Sequence, residues 1–310
     1  MTYLESIKFP ADYKNVYPYG LPAIKNLGVV EFSPVTIFAG SNGSGKSTIL
    51  NVIAEKMNDF IPVKKSTGNI TGYFNWFAKK CYCKLYYENN KLVLPALCRL
   101  IKSEDIMEII NKRRKTNKKV EKDFKTSENY VFDAFKKKKE DFKNPEDYYT
   151  FNGFDEEMYG INKEEQELTD GQRFYRSLLE GQNYNHAKNS LEDEYSNGES
   201  SMNCFAELMI EDNSLYLLDE PENSLAPKLQ LELIKLIEEC TRYFNCQFII
   251  ATHSPFILSL GSSEKISANI YDLDNIPVCI KHWYELDNMK EYARLFLENI
   301  SHFSNNYCLK

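Results

Sequence analysis

Short apolar runs alternating with amphipathic stretches set the rhythm of this chain. Val35 to Phe38 is β-branched or aromatic throughout and leads into a glycine-rich segment, after which Ile49 to Met57 has helical spacing. That order predicts strand, loop, helix. Tyr73 to Leu97, rich in Tyr, Phe and Leu, predicts antiparallel strands with a turn at Asn89-Asn90. Ser103 is suited to cap a helix whose apolar face is Ile106, Ile109 and Ile110, before charged residues take over through about residue 190.

The second half is more regular. Met202, Phe205, Ala206, Met209 and Ile210 recur at helical offsets within Ser200 to Asp212, and Leu215 to Leu218 is an apolar run of strand length. Pro227 opens a helix carrying Leu229, Leu233, Leu236 and Ile237, and Phe248 to Ala251 reads as a second buried strand. From Lys265 onward the pattern predicts one or two strands around Tyr271 and Trp283, then a helix from Asn288 to Phe303. Buried strands alternating with helices predict an α/β core with a mainly parallel sheet, interrupted by a charged helical insertion.

Composition narrows this picture. With 310 residues and 43% hydrophobic content the chain can bury a substantial core. It shows no secretory signal and no apolar run near the ~20 residues that span a bilayer, so a cytoplasmic location without membrane insertion is expected. Eight scattered cysteines form no metal-ligand or disulfide pattern and are read as free thiols. The net charge of -7 conceals a basic segment: Asn111 to Lys143 holds thirteen Lys or Arg and six Asp or Glu, or +7, leaving -14 elsewhere. A solvated helical arm and a nucleic-acid contact are both open readings of that segment.

The sharpest chemical signal is Gly40-Ser41-Asn42-Gly43-Ser44-Gly45-Lys46-Ser47, followed by Thr48, between a predicted strand and a helix. Two glycines at this spacing, then lysine and a hydroxyl residue, form a phosphate loop. Its backbone N–H groups and helix start suit a triphosphate, Lys46 suits the outer phosphates, and the Ser47 hydroxyl is a magnesium ligand. ATP and Mg2+ are the expected cofactors. Asp219-Glu220, at the end of the Leu215 to Leu218 strand, supply the other half: Asp219 for the metal shell and Glu220 to orient or deprotonate water.

Together these residues resemble ATP-binding-cassette ATPases, in particular the soluble branch that includes SMC, Rad-fifty-like and RecF-like proteins. Leu218-Asp219-Glu220-Pro221-Glu222-Asn223-Ser224-Leu225 looks like the acidic strand and D-loop of that superfamily, and Ala251-Thr252-His253-Ser254-Pro255 is similar to its switch-histidine segment. The resemblance implies a P-loop NTPase three-layer core with an antiparallel β subdomain and a helical insertion. Residues 1–100 and 191–310 would form the ATP-binding lobe, and 101–190 the insertion. It also implies that His253 contacts the terminal phosphate.

Two stretches resemble the superfamily signature. Leu168-Thr169-Asp170-Gly171-Gln172 looks closer in letters, but Ser196-Asn197-Gly198-Glu199 opens the helix leading into the acidic strand, with Ser196 lying 23 residues before Asp219. Ser196 to Glu199 is the preferred candidate. In such a family it closes on nucleotide held by a second copy, which implies an ATP-bound homodimer. The family's Q-loop glutamine has no counterpart, for no glutamine occurs between Asn51 and Glu165; Ser103 and Asp105 are candidate replacements. Tyr17 and Tyr19 are candidates for stacking on adenine.

The leading expectation is a soluble ATPase whose ATP-driven dimerisation controls a nuclease or other effector partner, or nucleic acid through the 111–143 segment, in DNA repair or phage defence. The alternative is the ATPase subunit of a transporter docking on a separate membrane protein. A nuclease in its own right has no supporting acidic cluster outside the ATP site.

Overall fold

The computed structural model describes residues 1–10, 17–18, 20–65, 74–111, 197–209 and 211–302. The Leu168 to Gln172 stretch, Ser196, Tyr19, Ile210, Phe303 and all but the first residue of the basic segment lie outside the described residues, as do the side chains of Asn197, Glu199, Ser200 and Asn203. The chain divides into two compact units, one made of Met1–Ile109 with Tyr195–Lys310 and the other of Ile110–Glu194. The description that follows is of the first.

Its elements run β1 (Leu4–Lys8), α1 (Pro22–Leu27), β2 (Val29–Glu31), β3 (Val35–Ala39), α2 (Lys46–Met57), β4 (Val63–Lys65), α3 (Asn75–Ala78), β5 (Tyr82–Leu85), β6 (Tyr87–Glu88), β7 (Lys91–Leu92) and β8 (Leu97–Lys102). A helical segment α4 (103–111) follows. After the insertion come α5 (Asn197–Leu208), β9 (Ser214–Asp219), α6 (Pro227–Tyr243), β10 (Gln247–Thr252), α7 (Pro255–Leu258), β11 (Ala268–Asp272), β12 (Cys279–Ile280) and α8 (Asp287–Glu298).

Seven strands form the main sheet in the order β12-β11-β3-β10-β9-β8-β4. All neighbours are parallel except the β11–β12 pair at one edge. The wholly apolar runs follow from this topology, because a parallel strand covered on both faces has no side that favours polar residues. Every residue of β3, β9 and β10 is buried. Leu215, Leu217, Ile249 and Ala251 share one cluster with α2 and the antiparallel strand β1. The alternate residues Tyr216, Leu218, Phe248 and Ile250 are equally buried and face the other way, and α6 packs against β10.

A smaller antiparallel sheet, β2-β1-β5, and the β6-β7 hairpin complete the unit. Gln247 at the start of β10 ties the two sheets together. Its Oε1 accepts the N–H groups of Tyr3 (2.9 Å) and Leu4 (3.0 Å), while its Nε2 donates to the Leu4 carbonyl at 3.0 Å and the Ser33 carbonyl at 3.3 Å.

Three local expectations need correction. The 73–97 stretch does contain antiparallel strands, and Asn89 and Asn90 both have positive φ in the β6–β7 turn. Yet Asn75–Ala78 is helical, its Phe77 and Ala78 buried against the core. Leu97 begins β8, which joins the parallel sheet and not the antiparallel one. Trp283 lies beyond β12 in a single helical turn over Trp283–Glu285, opened where the Glu285 carboxylate accepts the His282 N–H at 2.9 Å.

Candidate nucleotide site

The C-terminal ends of adjacent parallel strands converge on one place, the usual position of a ligand site in an open α/β sheet. Ala39 ends β3, Asp219 ends β9 and Thr252 ends β10, with Thr252 in register with Ala39 and Ala251 with Asp219. The loop from β3 into α2 therefore faces the acidic end of β9 across β10.

Glycine is required in that loop for two separate reasons. Gly45 caps α2 at φ +104°, a backbone conformation that L side chains rarely adopt. A Cβ on Gly40 would come within 2.5 Å of Ser44 Oγ and 3.2 Å of Asp274 Oδ1. Lys46, only 3% exposed, curls back over the loop: its Nζ donates to the carbonyls of Gly40 at 2.9 Å and Ser41 at 3.0 Å, and lies 3.4 Å from Glu220 Oε1. Thr48, on the first turn of α2, shares a 3.0 Å hydrogen bond with the Tyr17 hydroxyl, and the Tyr17 ring lies 5.9 Å from that of Phe74.

Ser47 meets the acidic strand directly. Its Oγ donates to Asp219 Oδ1 at 2.8 Å. Asp219 is 7% exposed, and burial pushes its carboxyl up to about 6, against the opposing influence of the Ser47 hydrogen bond and of Lys102. A buried carboxylate so disfavoured, beside a hydroxyl oxygen, is the hard-oxygen donor set that a magnesium ion bridging to phosphate uses, since such ions keep few protein ligands. The two residues fit the metal. Among the described residues no group of three or more His, Cys, Asp or Glu could hold a metal ion.

Glu220 leaves the strand in the left-handed region, at φ 47° and ψ 53°. Such a conformation costs roughly 1–3 kcal/mol in a non-glycine residue and persists where the surroundings impose it. Here the Glu220 N–H donates to the Ala251 carbonyl at 2.9 Å, and the Glu220 carbonyl accepts the Ser103 hydroxyl and the Asn223 N–H at 3.1 Å. Asn223 Nδ2 adds a 3.0 Å bond to Glu220 Oε2. The side chain is thereby turned toward Lys46 and His253, with His253 Nδ1 at 3.9 Å from Glu220 Oε1.

His253 is fixed from below by Glu222, a residue with no role in the sequence reading. Glu222 Oε1 accepts the Thr252 hydroxyl at 2.7 Å and the His253 N–H at 2.8 Å, and lies 3.2 Å from His253 Nδ1 without an aligned hydrogen bond. The turn into α7 is closed by Ser254, whose Oγ accepts the N–H groups of Phe256 and Ile257 and donates to Gln230 Oε1 of α6 at 2.5 Å.

The structure thus brings together Gly40 to Thr48, Asp219, Glu220 and His253. Of the signature candidate, only the main chain of Asn197, Gly198 and Glu199 is described, as the first turn of α5. Of the two proposed stand-ins for the Q-loop glutamine, Ser103 is at the site but bonds the Glu220 main chain. The charged side chain paired with Asp219 is instead that of Lys102, whose Nζ lies 3.8 Å from Asp219 Oδ2. Lys102 pairs with Asp219 in the β8–β9 register, a placement that only knowledge of the strand order could have supplied.

The chain is similar to several known proteins. The Tungstate uptake system ATP-binding protein TupC of Campylobacter jejuni is 24% identical over 280 residues, which cover 87% of this chain. The chain spans 66% of the length of that relative. Similar solved structures include the Smc head domain of Pyrococcus furiosus (TM-score 0.40, 15% identity, covering 97% of this chain and 100% of that one). Another is cbiO1 of Clostridium perfringens, part of the ABC transporter complex cbiONQ (TM-score 0.41, 18% identity, 98% and 100% covered). The family described as "AAA domain, putative AbiEii toxin, Type IV TA system" matches residues 105–259, half of the chain. With that match added to the phosphate loop and acidic strand end, the chain belongs to this family of AAA ATPase domains.

Proposed function

We propose that the chain binds MgATP between the phosphate loop and the end of β9 and hydrolyses it. The observation that carries this reading is the 2.8 Å bond between Ser47 and Asp219, which joins the two halves of the site across 172 positions of sequence. Ser47 and Asp219 would hold the magnesium ion, which when bound neutralises charge on the outer phosphates. The loop's N–H groups and Lys46 bind the triphosphate, Glu220 orients and accepts a proton from the attacking water, and His253 faces the terminal phosphate. ATP turnover by purified protein, abolished by chelating divalent cations, tests it; no turnover and no nucleotide uptake from well-folded material refutes it.

In this reading two copies sandwich ATP, each presenting Ser196, Asn197, Gly198 and Glu199 to nucleotide held by the other. The division into an ATP-binding lobe (1–100 and 191–310) and a helical insertion (101–190) gives dimer closure something to move. The regulated target is an effector protein such as a nuclease, or nucleic acid bound by the 111–143 segment, in a cytoplasmic repair or phage-defence system. The family's description as a toxin of a type IV toxin–antitoxin system favours the defence setting. DNA that raises turnover at low salt, with the effect fading as salt rises, supports contact with nucleic acid; flat turnover across a DNA titration removes it.

One observation favours a second reading. The name of the Campylobacter jejuni relative places it in a tungstate uptake system, so a transporter ATPase subunit docking on a membrane protein is the competing role. Among the described residues no helix is long and apolar enough to cross a membrane, so this role needs a separate membrane chain. Co-purification of such a chain from detergent extracts decides for it.

A further inference from the structure

The turn after β11 lays a carboxylate against the phosphate loop. Asp274 accepts three hydrogen bonds from a single residue: the Ser41 N–H approaches Oδ1 at 2.9 Å and Oδ2 at 2.8 Å, and Ser41 Oγ donates to Oδ1 at 2.8 Å. Asp274 is itself held in place. Its N–H donates to Oδ1 of the buried Asp272 at 3.1 Å, and Asp272 Oδ2 accepts Asn275 Nδ2 at 2.8 Å and Lys281 Nζ at 2.7 Å. Asp272 lies opposite Ala39 in the parallel β11–β3 register, and the Leu273 N–H donates to the Ala39 carbonyl at 2.9 Å. A continuous polar chain therefore runs from Lys281 through Asp272 and Asp274 to Ser41.

Ser41 matters because of what else it holds. Its carbonyl and that of Gly40 are the two acceptors of Lys46 Nζ. Whatever fixes Gly40 and Ser41 also fixes the point from which Lys46 reaches out. We propose that Asp274 is a positioning residue of the nucleotide site, holding the entry turn of the phosphate loop in its binding-competent form and making ATP affinity depend on the C-terminal segment 272–281. This rests on the reading of the loop as an ATP site. A carboxylate near a triphosphate also repels it, but Asp274 is solvent-exposed, where water and salt screen that repulsion. The orientational effect of three short bonds therefore dominates.

The test compares wild type, Asp274→Ala, Asp274→Asn and Lys281→Met in titrations with a fluorescent ATP analogue and in steady-state turnover. Asp274→Ala is expected to raise KM for ATP and the analogue Kd about tenfold while kcat changes less than threefold. Asp274→Asn keeps an acceptor for Ser41 and falls between Ala and wild type, and Lys281→Met moves in the same direction as Ala by a smaller factor. Unchanged affinity in Asp274→Ala overturns the inference, and so does tighter binding, which would make repulsion the stronger effect. A fall in melting temperature with unaltered KM also overturns it, since it would leave Asp274 with a purely structural role. Failure of wild type to bind nucleotide overturns the ATP site itself and is distinguished by that control.

Discussion

Glu222 Oε1 and the main-chain N–H of His253 are 2.8 Å apart, so the residue three places after Asp219 anchors the residue that faces Glu220 across the site. The same oxygen takes the Thr252 hydroxyl, and Glu222 Oε2 has no hydrogen-bond partner among the described residues. Glu222→Ala should release the His253 segment and lower turnover about 10- to 100-fold, with ATP affinity within about threefold of wild type. Glu222→Gln, which keeps an acceptor for both partners, should lose less. Parallel kcat and Kd measurements check this; equal damage to both would mean that Glu222 supports the whole site and not the histidine.

Glu220→Gln should bind ATP as wild type does yet lose about 100-fold or more of its turnover, because the amide cannot take a proton from water. The substitution keeps the shape that Asn223 and Ser103 hold in the left-handed backbone. Trapped ATP-bound dimers, seen by light scattering on the variant with ATP, would support the sandwich arrangement; Ser196→Arg should prevent them. Persistent turnover in Glu220→Gln would place the base elsewhere.

Lys46→Ala should abolish measurable nucleotide binding by calorimetry. The side chain has three oxygen neighbours in the loop and at Glu220, so its loss also leaves Glu220 without its nearest cation.

Asp219 predicts a trade between stability and function. Burial raises its carboxyl to about 6 in the folded protein, well above the ordinary carboxylate value. The folded state therefore holds this proton more tightly than the unfolded state, and the associated stability is present at low pH and lost as pH rises from about 4 through about 6. Asp219→Asn should stabilise the metal-free protein at pH 7.5 by on the order of 2 kcal/mol, remove that part of the pH dependence, and eliminate turnover. Urea denaturation in chelator at pH 4.5 and 7.5 measures it; a variant that is no more stable than wild type at pH 7.5 contradicts the argument.

Gln247→Leu should be costly at a distance from any chemistry. It would strand the buried N–H groups of Tyr3 and Leu4, and each unsatisfied buried donor costs about 1–3 kcal/mol. A loss of about 2–4 kcal/mol in urea denaturation, with the ATP Kd unchanged at low denaturant, is the expected result.

The parts of the molecule legible in the sequence were those whose physics is local. Val35–Ala39, Leu215–Leu218 and Phe248–Thr252 announce themselves as strands because burial on both faces leaves only apolar or β-branched residues acceptable. The phosphate loop is legible because its glycines answer backbone demands that no other residue meets. Glu222, Lys102 and Asp274 were not legible. Each acts through a partner from another strand end, and an acid after a strand or a lysine before a helix has no local pattern that separates it from a solvated one. Asn75–Ala78 escapes sequence reading for a related reason: Tyr73, Phe74, Trp76 and Phe77, four aromatic residues within five positions, suit a strand and a buried helical turn alike.

The strand order has a consequence for biosynthesis. β3, which carries the phosphate loop, sits between β10 and β11, and both neighbours are made from residues after 246. On the ribosome the loop emerges well before the strands that flank it and has no sheet neighbours to rest on until residues 247–272 have followed, and its Asp274 brace arrives later still. Nascent chains ending before residue 247 should be blind to nucleotide, so that ATP capture follows assembly of the main sheet and does not guide the first steps of its folding.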